Sequence, residues 1–198
     1  MRSRFPISLF ASLLVLAAPF TALAQAVETS GVKFDGEMSV GANRLVLNGA
    51  GTRYKFVIKV YAAALYGPAK VSTPEAVYDV RQPRAMKIVM LRDINASELG
   101  RLFTNGMQDN TAREDFAKAI PGTLKLADLF AARKKLVAGD NFVIDYRPGT
   151  GTRIVINGKP EGELIEEPEF YVALMKIWLG KAPADYRLKD ALLGGKPN

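Results

Sequence analysis

The side chains best able to do chemistry at regular spacing lie between Arg53 and Tyr66. Tyr54 to Tyr66 reads as one long strand, and alternate side chains of a strand point to opposite faces. On that reading Tyr54, Phe56, Ile58, Val60 and Ala62 form an apolar set that belongs to the core. Arg53, Lys55, Val57, Lys59 and Tyr61 form the opposite, basic and polar set. The alternation is compatible with that second set facing either solvent or a partly enclosed polar cleft. Arg53 and Tyr61 stand eight residues apart and so share one face. A guanidinium can give a carboxylate two parallel, charge-assisted bonds, and a phenol can add a third donor.

The chain contains no histidine and no cysteine. This removes Ser-His-Asp and Cys-His nucleophile systems and the common zinc sites. Acid–base work would fall to Tyr, Lys, Arg, Asp, Glu or an ordered water, and no catalytic or metal-ligating set is assigned. No Walker A loop is present and no GxGxxG opens a helix after a strand, so no cofactor is expected. Arg133-Lys134-Lys135 is the tight basic run, read as a solvated helix face rather than a nucleic-acid or headgroup patch. Phe103, Met107 and Trp178 read as core, Tyr146 and Arg153 as hairpin structure, and Asp140 as a helix-to-strand corner.

The elements that would position these residues follow from turn and periodicity signals. Strands are expected at Val32–Phe34, Glu37–Val40 and Leu45–Leu47, with a hairpin at Asp35-Gly36 and a turn at Asn48-Gly49 and Gly51. Ala85 to Leu91 is apolar nearly throughout and fits a strand in the sheet interior. Asn95, with Glu98 three residues on, can cap a helix carrying Leu99, Leu102 and Phe103 on one face. Thr111 can cap a second helix that Pro121-Gly122 ends, and Leu126 to Val137 suggests a third, closed by Gly139. Strands return at Phe142–Tyr146, Arg153–Ile156 and Glu163–Ile165, the last two joined by an Asn157-Gly158 hairpin. Helices then start at Pro168 and Asp185. This order predicts an α+β fold, an antiparallel sheet covered by helices.

The N-terminus has the parts of a secretory signal. Arg2 and Arg4 precede an apolar run from Ile7 to Phe20, and Ala22-Leu23-Ala24 offers a small-x-small cleavage site. A membrane span needs roughly 20 apolar residues, more than this run supplies. Cleavage after Ala24 would leave residues 25–198 as one domain in the periplasm, with no stable membrane anchor and no nucleic-acid partner. Losing Arg2 and Arg4 removes two charges from the formal +7. With no disulfides, the exported protein must be stable on packing alone.

Leu47-Asn48-Gly49-Ala50-Gly51-Thr52-Arg53, followed by Lys59-Val60-Tyr61-Ala62-Ala63-Ala64-Leu65-Tyr66, resembles the opening of the chalcone isomerase fold. Tyr146-x-Pro148-Gly149-x-Gly151-Thr152, Asn157-Gly158 and Ile177-Trp178-Leu179-Gly180 resemble the bacterial exported branch of that superfamily. The resemblance implies a chalcone isomerase-like, open-faced β-sandwich. It carries the family's carbonyl-polarising arginine to Arg53 and its strand threonine to Tyr61. The family's helical tyrosine and asparagine fall near Leu99 and Gly106, and its last hydroxyl position near Ile177. Only the arginine is retained, and a lone guanidinium can bind a carbonyl or carboxylate but cannot order a nucleophile. Other superfamily members bind fatty acids, holding the carboxylate with this arginine and a tyrosine. The implied function is therefore binding of a small lipophilic ligand with an acidic or carbonyl head, through Arg53 and Tyr61. The alternatives are an isomerase or intramolecular lyase on an enone-like substrate, and a protein-interaction module that kept the fold.

Overall fold

In a computed structural model that describes residues 25–198, the expected long strand turns back on itself. The expected secretory signal, residues 1–24, lies outside the described residues. Strands β1 (Val27–Thr29) and β2 (Val32–Phe34) form a separate hairpin, followed by β3 (Glu37–Val40), β4 (Asn43–Lys55) and β5 (Ile58–Gly67). Lys55 pairs with Ile58, leaving Phe56 and Val57 as a two-residue turn. Phe56 has φ +57 while Val57 stays in the ordinary region, the signs of a II′ turn, whose first position normally takes glycine. A bulky residue there costs on the order of 1–3 kcal/mol. Phe56 and Ile58 are thus exposed rather than core, because the turn breaks the alternation that placed them inside.

Two other expected turns are corrected. Gly36 is already bonded into the β3–β4 ladder, Leu47 N donating to its carbonyl at 2.8 Å, so Asp35-Gly36 links two sheets and makes no hairpin. The tight turn upstream is Ser30-Gly31 between β1 and β2, with both φ values positive. Asn48-Gly49 and Gly51 lie within β4, with a register shift between Leu47 and Gly49. Their glycines answer a close approach instead: a Cβ at Gly49 would stand 2.0 Å from the carbonyl oxygen of Ala191.

Short α1 (Pro74–Val77) leads to β6 (Arg84–Met90), flanked on both sides by strands as its apolar sequence requires. A two-residue β7 (Ile94–Asn95) runs into α2 (Ala96–Asn110), where Asn95 Oδ1 accepts from Glu98 N at 3.1 Å, the expected cap. Thr111 ends α2 rather than opening the next helix. Helix α3 (Arg113–Ala131) continues through Pro121 because Ala119, Thr123, Leu126 and Phe130 keep one buried stripe in phase across it. Leu136 leaves that helix for β8 (Lys135–Leu136), paired with β7. The basic run therefore spans the connection after α3 and the first residue of β8, where Arg133 pairs with Glu161 and Lys135 with Asp93 at 3.2 Å.

Strands β9 (Asn141–Arg147), β10 (Gly151–Ile156) and β11 (Lys159–Ile165) complete the sheet, with Asn157-Gly158 at positive φ as its dipeptide demands. Helices α4 (Pro168–Leu179) and α5 (Tyr186–Leu192) close the fold. The main sheet is antiparallel, seven strands in the order β11-β10-β9-β6-β5-β4-β3. One face is packed by α2, α3 and α4, with Ala63, Met86, Ile88, Phe103, Phe130 and Trp178 in its core. The other holds a smaller core of Phe34, Leu45, Ala62, Ala64 and Tyr66. Consecutive β5 residues thus feed opposite cores, so the strand is buried from Tyr61 to Gly67.

Candidate functional site

The turn at Phe56-Val57 brings Arg53 and Tyr61 directly opposite each other, as register partners on β4 and β5. The sequence reading put them on one face of a single strand. They do share a face, but as cross-strand neighbours, whose side chains lie closer than residues eight apart along one strand. Arg53 is half-buried and its Nη1 donates to the carbonyl of its neighbour Tyr54. Tyr61 is only 3% exposed. Both line a cleft of about 760 Å³ between the β4–β5 hairpin and α2.

The cleft has distinct walls. Leu99, Leu102 and Phe103 of α2 face Ile58 and Val60 of β5, and Ile177 of α4 contributes from behind. The amphipathic spacing of α2 buries Leu99 and Phe103, while Leu102 stays 40% exposed at the edge. Charged groups gather at the rim: Lys55 and Arg92 on one side of the balance, Asp93, Glu98 and Asp109 on the other. The sequence reading placed Lys55 in the basic set of the strand and Glu98 in a helix cap, and gave Arg92, Asp93 and Asp109 no role, since single charges spaced along different elements carry no local pattern.

Behind Tyr61 stands Trp178 of α4, fully buried, whose Nε1 donates to the Tyr61 hydroxyl at 2.8 Å. A buried indole N–H needs an acceptor, and that rule was the available signal for this partnership. The indole uses a lone pair of the phenol oxygen, so the phenol's own hydrogen is free to reach another acceptor. Burial pushes the Tyr61 phenol up to about 12, against the opposing pull of the Arg53 charge and the Trp178 bond. Tyr61 is thus a neutral donor at any physiological pH and a poor base. Asp185, the α5 N-cap, braces the same end of the hairpin by accepting from Tyr54 N at 2.9 Å. Arg53 and Tyr61 together offer a positive fork and a neutral hydroxyl at the edge of an apolar space. That arrangement suits a carboxylate or a polarised carbonyl.

The remaining candidates sort as structure. Met107 is fully buried in the helix-side core. Tyr146 donates to the Val80 carbonyl at 2.8 Å and stacks on Tyr171, with ring centroids 4.0 Å apart. Asp140 accepts from Val137 N and from Asn157 Nδ2, both at 2.9 Å, holding a corner before β9. Among the described residues, no group of three or more His, Cys, Asp or Glu side chains is placed to hold a metal ion.

Residues 26–194 match the family model described as chalcone isomerase-like. The chain belongs to the chalcone isomerase-like family. A comparison with curated proteins returned no sequence match. Among solved structures, the chain is similar to a fatty-acid binding protein of Arabidopsis thaliana, with a TM-score of 0.64. That similarity covers 85% of this chain and 96% of the plant protein at 13% identity, a likeness of fold.

Within the chalcone isomerase-like frame, the positions that the sequence resemblance paired with isomerase catalytic groups prove to share one place. Arg53, Tyr61, Leu99, Gly106 and Ile177 all line the cleft. At Gly106 an added Cβ would come within 3.3 Å of Ile177, so the two positions are fitted to each other. An asparagine side chain at 106 would need Ile177 to give way.

Proposed function

We propose that this chain is an exported, periplasmic member of the chalcone isomerase-like family that binds, without turnover, a small lipophilic molecule with a carboxylate or carbonyl head, such as a fatty acid. The observation that carries this reading is the Arg53–Tyr61 pair at the edge of an apolar cleft of about 760 Å³. That volume is of the size that small-molecule sites commonly have. Arg53 would meet the head with its fork, and Tyr61 would donate the hydrogen that Trp178 leaves free. The tail would lie along Leu99, Leu102, Phe103 and Val60. Each methylene removed from water there contributes about 0.8 kcal/mol, while the head chiefly sets orientation because desolvation offsets much of its pairing energy. The fold shared with a protein described as fatty-acid binding supports the same choice of ligand.

Calorimetric titration with dodecanoate and with its methyl ester tests the reading. Dodecanoate should bind the unaltered protein, and Arg53→Ala should weaken it about 30-fold, the loss of a bond to a charged group. The ester, which lacks the charge, should lose far less. No binding of either compound, or equal losses for both, would remove Arg53 from the head-group role.

A further inference from the structure

The β4–β5 hairpin presents an apolar tip where turns are ordinarily polar. Phe56 is 92% exposed, Val57 89% and Ile58 46%, with Leu102 of α2 at 40% across the cleft. Phe56 holds this position at φ +57, a conformation that glycine would adopt more easily. Exposed Lys55 and Lys59 flank the tip and Arg53 follows behind, with no acid between residues 53 and 59. Arg92 and Asp93, adjacent in the connection after β6, also line the cleft rim, and Glu98 and Asp109 line it from α2. An apolar point ringed by cations complements a lipid surface with anionic headgroups, where side chains reach the acyl boundary and lysines meet phosphates. In a symmetric pairing of two copies the same lysines would face each other, which repulsion disfavours.

We propose that this hairpin docks the protein on an anionic phospholipid bilayer, placing the mouth of the Arg53–Tyr61 cleft at the membrane surface. The docking is peripheral: among the described residues no helix is long and apolar enough to cross a membrane. It goes beyond the ligand reading and does not depend on it, since the test reads vesicle binding alone.

The test is co-sedimentation of protein, purified after expression of the full chain, with phosphatidylcholine vesicles and with vesicles containing phosphatidylglycerol. The expected result is binding to the anionic vesicles, at least about tenfold weaker on phosphatidylcholine alone and weakened by high salt. Phe56→Gly removes the apolar tip while relieving the turn, so it should reduce vesicle binding about tenfold with an unfolding midpoint equal to or above the parent. Replacing both Lys55 and Lys59 with glutamine should flatten the salt dependence. Failure of the parent protein to sediment with anionic vesicles, or undiminished binding by the Phe56→Gly variant, would overturn the proposal. So would light scattering that shows dimers dissolved by Phe56→Gly, which would make the tip a contact between copies.

Discussion

Two arginine–tyrosine pairs face each other across neighbouring strands of one sheet, Arg53 with Tyr61 on β4 and β5 and Arg84 with Tyr146 on β6 and β9. They sit at opposite ends: Tyr61 lies beside Met90 at the close of β6, and Arg84 begins that strand. In the second pair, the donors are largely spent on backbone. Arg84 is 3% exposed and donates to the carbonyls of Ala76 at 2.8 Å and Pro83 at 3.1 Å. Tyr146 reaches Val80, and Tyr171, stacked on it, reaches Val77 at 2.7 Å. Arg84 and Tyr146 thereby tie the connection through α1 to the sheet, and Tyr171 ties it to α4. In the first pair the fork is half-exposed and the phenol keeps an uncommitted hydrogen beside an apolar cleft. The same residue types in the same cross-strand geometry thus serve different ends. What separates a tether from a binding site is whether the donors already have acceptors.

The comparison breaks first on stability. Arg84→Ala leaves two part-buried carbonyls without their donor and opens a void beside Gly67, whose space the guanidinium limits. The expected loss is about 3 kcal/mol, a drop of roughly 6–12 °C in the unfolding midpoint followed by circular dichroism. Arg53→Ala, losing one bond to an adjacent carbonyl in a partly solvated position, should lose less than about 0.5 kcal/mol. Similar losses at both positions would mean that Arg53 is also a tether.

How far the sequence could have announced this difference depends on the element. The Asn157-Gly158 hairpin, the Asn95 cap and the buried strand β6 were legible because each rests on local chemistry. The Phe56-Val57 turn was not, since nothing in its residue types favours a positive φ and its apolar side chains mimic a strand interior. Gly49 and Gly51 carried a true signal of constraint, but the constraint is not a turn: it is the α5 backbone at Gly49 and the Asn198 and Ala191 side chains at Gly51, all more than 130 residues downstream. Pro121 was overridden by tertiary packing on both sides of it. At the site, Arg53 and Tyr61 were named through family resemblance and an alternation that does not exist, and the true register still places them together. The Trp178 bond and the charged rim needed coordinates, because both join elements distant in sequence.

Alkaline pH sharpens the comparison next. Burial raises the phenols of Tyr61, Tyr66, Tyr78, Tyr146 and Tyr171 above their ordinary value near 10. Between that value and the folded one, the unfolded chain gives up protons that the folded chain retains, so stability falls as pH rises. Below pH 10 these groups contribute no slope. For Tyr61, raised to about 12, the loss totals on the order of 2–3 kcal/mol once pH passes 12. Urea midpoints measured in steps above pH 9 should stay level to about pH 10 and then decline. Tyr61→Phe should make the decline shallower, whereas a flat profile would show that these phenols are hydrated in the folded chain.

The smallest expected effect bears most directly on what kind of pair Arg53–Tyr61 is. Tyr61→Phe removes one hydroxyl that accepts from Trp178 and has a hydrogen to give. The indole N–H left behind is buried, so the variant should lose about 1 kcal/mol of stability whatever the cleft binds. Ligand affinity supplies the separate reading. If the hydroxyl donates to a carboxylate held by Arg53, dodecanoate should bind the variant about 5-fold more weakly, and the loss should shrink when Arg53 is already alanine. Unchanged affinity alongside the stability loss would make Tyr61 a prop for Trp178, as Tyr171 is for the segment around Val77. Arg53 would then hold a ligand head without the phenol, and the two ends of the sheet would differ by one half-exposed guanidinium alone.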